Sequence, residues 1–157
     1  MTAEPTDRDE AMMSRALELA REAMAHDEAP VGAVVYETSA GRVLGEGRNR
    51  READADPTAH AEILAIRAAA RTLGDWRLNG CTLVVTLEPC AMCAGAIVNA
   101  RVGRLVFGAL DPKAGAVASL YQLCSDARLN HRLAAIAGVR AQDCGDLLRE
   151  FFRSKRP

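Results

Sequence analysis

Apolar residues recur with two different periods along this chain, and the alternation between them predicts the fold. Met13, Leu17, Ala20 and Met24 fall at helical spacing, and Thr6 stands where a helix N-cap is expected, so a helix is read from Thr6 to about His26. Val31 to Tyr36 reads as a strand, a turn follows at Ser39–Gly41, and Val43 to Glu46 completes a hairpin. Asn49 to Pro57 is polar loop. Thr58 is placed to cap a second helix, Ala59 to about Leu73, with Ile63, Ile66 and Ala70 on its apolar face. Thr82 to Leu87 is a β-branched, apolar run and predicts a buried strand. Glu88-Pro89 opens a helix from Cys90 to about Ala100. Leu105 to Phe107 is a short strand and Asp111 to Ala118 a loop. Leu133 to Val139 holds a last strand interrupted by Gly138, and Gln142 to about Arg153 is a closing helix. Strands alternating with helices imply a layered α/β domain with helices on both faces of one sheet, and the opening hairpin makes that sheet mixed. Sites in open sheets of this kind gather at strand C-terminal ends and helix N-termini.

The whole chain, 1–157, is read as one domain, with residues 1–5 frayed and 142–156 forming a basic closing helix. Only 4% of the residues are aromatic, which argues against an extended base-stacking platform for single-stranded nucleic acid. No stretch approaches the roughly 20 apolar residues that span a bilayer, so no membrane partner is expected. Met1 to Glu10 is acidic and lacks a basic region ahead of an apolar run. No secretory signal is read there, and a cytoplasmic protein is expected. The net charge of −1 is unevenly spread. Residues 1–28 carry eight acids and three bases, whereas residues 149–157 carry four bases and one acid. A basic end of this kind either attracts phosphates or complements a helix dipole.

Five cysteines is an odd number without disulfide spacing. Cys90 and Cys93, in Pro89-Cys90-Ala91-Met92-Cys93, lie three apart at a helix start, where both sulfurs can reach one ion beyond the helix end. Two core cysteines or a redox pair are the other readings of that motif. His60, at a second helix start, is a third donor, and three ligands leave a zinc coordination position for water. Glu62, two residues on, converges on the same point from the first helical turn, where a carboxylate can take a proton from water and deliver it to a leaving amine. Cys81, Cys124 and Cys144 each stand alone and read as packing. His26 reads as a helix C-terminal residue, and His131 as a candidate phosphate contact.

His60-Ala61-Glu62 followed by Pro89-Cys90-Ala91-Met92-Cys93 resembles the zinc-dependent nucleoside and nucleic-acid deaminases, whose signature is H-x-E…P-C-x-x-C. Pro30 to Val34, Gly45 to Arg50, Asp56 to Glu62, Thr86 to Gly95, Phe107 to Ala109, Asn130-His131-Arg132 and Phe151-Phe152-Arg153 extend the resemblance to the bacterial tRNA-specific adenosine deaminases. It implies a cytidine-deaminase-like three-layer α/β/α sandwich with a sheet of about five strands, and a homodimer with one zinc ion per subunit. The implied reaction is hydrolytic conversion of adenosine to inosine at the wobble position of a tRNA anticodon stem-loop. Zinc would activate a water for attack on C6, and Glu62 would shuttle protons. The resemblance further assigns Asn49, Pro30, Val31 and Ala61 to the target nucleoside, and Asp111, Asn130, Phe152 and Arg153 to the RNA. Asn49, Asp111 and Asn130 are also ordinary turn residues. Ser154-Lys155-Arg156 departs from the more arginine-rich continuation of some relatives, and lysine makes no bidentate phosphate contact. Two other readings share parts of this pattern: a deaminase of a free base or nucleoside such as guanine or cytosine, and a non-catalytic zinc- or RNA-binding module.

Overall fold

The computed structural model describes residues 4–156. Ten elements follow one another: α1 (Asp7–Ala25), β1 (Gly32–Glu37), β2 (Val43–Arg48), α2 (Ala61–Leu73), β3 (Cys81–Leu87), α3 (Ala91–Asn99), β4 (Arg104–Ala109), a 3-10 turn (Leu123–Ser125), β5 (Ala134–Ile136) and α4 (Ala141–Lys155). The strands form one sheet in the order β2-β1-β3-β4-β5. β1 runs antiparallel to both β2 and β3, while β3, β4 and β5 are parallel. The sheet is therefore mixed and five-stranded, as the alternating pattern implied. β1 and β3, flanked on both sides, are buried almost throughout, which explains their unbroken apolar runs.

Alternate residues of each strand feed two cores. Ala33, Val35, Leu83, Val85, Leu105 and Phe107 pack under α2 and α3. Val34, Tyr36, Val84, Val106 and Ile136 pack under α1 and α4, against Met13, Leu17, Cys144 and Leu147. This makes three layers. No described helix is long and apolar enough to cross a membrane.

α1 begins at the expected cap: the Thr6 hydroxyl accepts from the Asp9 N–H, and the Asp9 carboxylate accepts from the Thr6 N–H. The same buried Asp9 takes a bidentate pair from Arg104 and the hydroxyl of Tyr36, which ties α1 to β1 and β4. Of residues 1–5, Glu4 and Pro5 precede α1 without regular structure, and the first three lie outside the described residues.

α2 differs from the sequence reading in two ways. Thr58 does not cap it. The Thr58 hydroxyl and N–H are both spent on the Asp56 carboxylate (2.7 and 2.8 Å), and the helix starts at Ala61 with His60 as N-cap. Its buried face is Ala61, Glu62, Ala65 and Ala69, while Ile63, Ile66 and Ala70 are half-buried. The reason lies in β2, where a Cβ at Gly47 would overlap the carbonyl oxygen of Ala61. Only alanines allow helix and strand to approach this closely. Gly47→Ala is expected to destabilise the chain by about 1–3 kcal/mol through overpacking and to displace the first turn of α2, with His60 and Glu62. Thermal melting checks this against Gly80→Ala, whose Cβ would meet nothing within 4 Å.

The final strand is shorter than expected. Gly138, in the left-handed region at φ 88°, turns the chain back so that its N–H reaches the carbonyl of Phe107 at 3.0 Å, and β5 has already ended at Ile136.

Candidate active site

One rim of the sheet gathers the chemistry. Because β1 is antiparallel to β3, the end of β3 (Leu87), the start of β1 (Ala29–Val31) and the end of β2 (Asn49) share that rim. The N-termini of α2 and α3 open onto it. The N-cap residues are His60 and Cys90, and neither side chain caps its own helix. Instead they face each other. His60 Nδ1 lies 3.7 Å from Cys90 Sγ and 3.5 Å from Cys93 Sγ. Tetrahedral ligands about 2.3 Å (sulfur) and 2.0–2.1 Å (nitrogen) from a zinc ion lie roughly 3.6 Å apart, so the three donors fit such an ion. They are the only cluster of this kind among the described residues.

Their proton affinities agree. The neighbouring Cys93 thiol holds the Cys90 sulfur down to about 4, with His60 adding to the effect. Cys90 and burial push the Cys93 thiol upward, and Cys90 also raises His60. These are the protons that a divalent cation displaces. Two helix N-termini, each with partial positive charge, favour thiolates here.

Glu62, in the first turn of α2, is 4% exposed. Burial pushes its carboxyl up to about 7. It lines a cavity of about 170 Å³ together with Ala29, Val31, Asn49, Arg51, His60, Ala61, Leu87, Glu88, Cys90, Asp111 and Ala114. That volume is below the roughly 300–1,000 Å³ of pockets for drug-sized ligands, and suits one planar base. A groove of about 860 Å³ adjoins the cavity, shares Ala29, Val31, Leu87, Asp111 and Ala114 with it, and adds Leu110, Lys113 and the α4 residues Leu148, Arg149, Phe152, Arg153, Lys155 and the following Arg156.

Among the residues singled out from the sequence, Val31, Asn49, Ala61 and Asp111 line the cavity, and Phe152 and Arg153 line the groove. Asn49 and Asp111 are also turn residues. Asn49 accepts from the Arg51 N–H, and Asp111 accepts from the N–H groups of Lys113 and Ala114.

Two residues lie elsewhere. Pro30 is buried and forms no part of the wall. A three-residue turn centred on it, with the Val31 N–H on the Ala29 carbonyl at 2.9 Å, leaves Ala29 and Val31 as the lining pair. Asn130 is exposed on the loop before β5, outside both cavity and groove of its own chain. His131 next to it is engaged with the carbonyl of Val102 at 2.8 Å. His26 is the C-cap of α1. Cys81, Cys124 and Cys144 are buried and apart from the cluster. Lys155 in the tail is paired with Asp27.

The sequence reading missed Glu88. Burial alone would push its carboxyl up, yet the Ser119 hydroxyl and the amides of Asp111, Ala118 and Ser119 hold it at about 2. Its signal was an acidic residue directly after a buried, mostly apolar strand, a place where a charge is buried only with partners.

Residues 6–109 match the cytidine and deoxycytidylate deaminase zinc-binding region. This chain belongs to that deaminase family. The family's zinc is accounted for by the one donor group able to hold it among the described residues, His60, Cys90 and Cys93. Within the deaminases, the chain is 49% identical to the tRNA-specific adenosine deaminase of Haemophilus influenzae over 94% of its length and 85% of that protein. A solved tRNA:A34 deaminase, studied for A-to-I editing at the wobble position, superposes with TM-score 0.84 and 44% identity, covering 88% of this chain and 99% of the other. A guanine deaminase from Nitrosomonas europaea superposes at 0.80 with 30% identity, covering 96% and 86%. The architecture is thus that of the deaminase fold.

Proposed function

We propose that this chain, acting as a single deaminase domain, hydrolyses adenosine to inosine at the wobble position of a tRNA anticodon loop. The observation that carries the substrate is the shared wall between a base-sized cavity and a much larger basic groove. A free base would fill the cavity and leave the groove unused. A flipped nucleotide fills the cavity while its backbone runs along Arg149, Arg153, Lys155 and Arg156. An anticodon loop makes flipping easier because its bases are already unpaired. The relatives named for tRNA adenosine support the same choice.

Bound zinc would supply an activated water as nucleophile at C6. The chain's own residues do the rest. Glu62 takes the first proton of the water and passes it to N1. It then takes the remaining proton, from the hydroxyl now bonded to C6, and delivers it to the exocyclic amine as the C6–N bond breaks, so that C6 becomes a carbonyl and ammonia leaves. Val31, Asn49 and Ala61 hold the base, and Asp111, Phe152 and Arg153 hold the flanking RNA. Arg51 adds a positive charge at the cavity mouth.

The same reading includes a homodimer. Leu120 and Tyr121 are 51% and 60% exposed, and Ile63, Ile66, Met92 and Ala96 of α2 and α3 are half-buried. A tRNA substrate and five free cysteines are in keeping with the cytoplasm.

The test compares inosine formation in an anticodon stem-loop with ammonia release from free adenosine, guanine and cytosine. Turnover of the stem-loop is expected to dominate and to fall steeply with added salt. Turnover of a free base alone would favour a free-base deaminase instead, the activity of the Nitrosomonas relative.

A further inference from the structure

Glu88 takes no part in the chemistry above, yet it is 2% exposed and sits at the edge of the cavity. It lies between Leu87, the last residue of β3, and Pro89-Cys90. Its Oε1 accepts the Asp111 N–H (2.9 Å) and the Ser119 hydroxyl (2.5 Å). Its Oε2 accepts the N–H groups of Val117 (3.2 Å), Ala118 (2.8 Å) and Ser119 (2.9 Å). These donors bracket the whole segment 111–119. That segment also meets the start of α3 directly, through the Ala116 N–H on the Pro89 carbonyl (2.8 Å) and an isolated antiparallel bridge between Cys90 and Gly115. Two of its residues, Asp111 and Ala114, line both cavity and groove.

We propose that Glu88 is a positioning residue of the active site, clasping segment 111–119 so that the Asp111–Ala114 wall stands at a fixed distance from the Cys90 side of the cavity. The proposal rests on the reading of that cavity as a nucleotide site. Five donors exhaust the roughly four lone-pair directions of a carboxylate, so Glu88 has nothing left for substrate. In this it differs from Glu62, which shares the cavity. Only an acceptor at both oxygens fits: glutamine would turn its amino group against either three amides or an amide and a hydroxyl. The clasp also has an independent point of attack. A Cβ at Gly115 would overlap the Glu88 carboxylate without changing any charge.

The experiment measures steady-state kinetics on an anticodon stem-loop, zinc content and amide hydrogen exchange for the wild type, Glu88→Gln, Gly115→Ala and the double variant. For Glu88→Gln, KM is expected to rise about tenfold, the scale on which a buried donor loses its acceptor. Its kcat is expected to stay within about threefold, and zinc to remain at one per chain. Gly115→Ala should show the same split. The double variant should be no worse than the more affected single variant, since both break one clasp. The amides of Asp111, Val117, Ala118 and Ser119 should exchange at least about tenfold faster in Glu88→Gln. If Glu88→Gln does not fold, Ser119→Ala, which removes only the hydroxyl contact, carries the test with a KM rise of a few-fold. An unchanged KM in a folded, zinc-loaded variant overturns the proposal. So do additive effects in the double variant, or activity lost only in step with zinc. Unchanged exchange overturns it whether or not the wild type acts on the stem-loop, whereas an inactive wild type refutes only the proposed substrate.

Discussion

Replacing Glu62 with alanine is expected to leave zinc bound and to stop deamination. The three metal donors belong to other residues, at the starts of α2 and α3. Alanine is the best helix former and suits the first turn of α2, whose inner face is already alanine. The lost function is proton transfer, and general acid–base groups contribute about 10²–10⁴-fold. Glu62 is assigned every proton movement of the reaction, so the fall in kcat is expected at the upper end, about 10³-fold or more. Glu62→Gln keeps the shape and should lose as much. Because a buried carboxylate of this kind serves chemistry rather than the fold, neither variant should melt below the wild type. Metal analysis, melting and single-turnover inosine formation decide the matter, and normal turnover in either variant would remove Glu62 from its role.

Cys90→Ser is expected to lose metal and activity together. A serine hydroxyl does not ionise near neutral pH, so a ligand that the structure holds as thiolate becomes a weak neutral donor. Loss of one of three protein donors should exceed the 10–100-fold loss of affinity that even outer partners of a metal site cause. Zinc content then drops well below one per chain. A ligand at 100 times its Kd adds about 2.7 kcal/mol of stability, so the variant should also melt lower, by a margin that added zinc does not restore. Retention of stoichiometric zinc would refute the ligand assignment. The two variants together separate holding the metal from using it.

Much of this was legible in the chain because it is local. The capping box at Thr6 and Asp9, the β1–β2 hairpin and the Cys90–Cys93 spacing each depend on residues a few positions apart. His60 and Glu62 were found by their short spacing, although the helix begins two residues later than expected, because Asp56 engages Thr58 first. What escaped depends on distant partners. The alanine face of α2 follows from Gly45 and Gly47 on another element, and periodicity alone favours the larger Ile63 and Ile66. Glu88 has its meaning only through donors 23 to 31 residues away. The resemblance assigned Pro30 to the target nucleoside, but the turn centred on it leaves Ala29 and Val31 in the wall.

The closing helix contributes nothing to the wall of the small cavity and much to the wall of the groove. Its inner side is anchored by Cys144 and Leu147, while Arg149, Phe152 and Arg153 look outward. On the proposed reading, selectivity for the polymer and competence in bond-breaking are written on separate stretches of chain. Redrawing the outward side of α4 is then expected to change the strand accepted while leaving the reaction untouched.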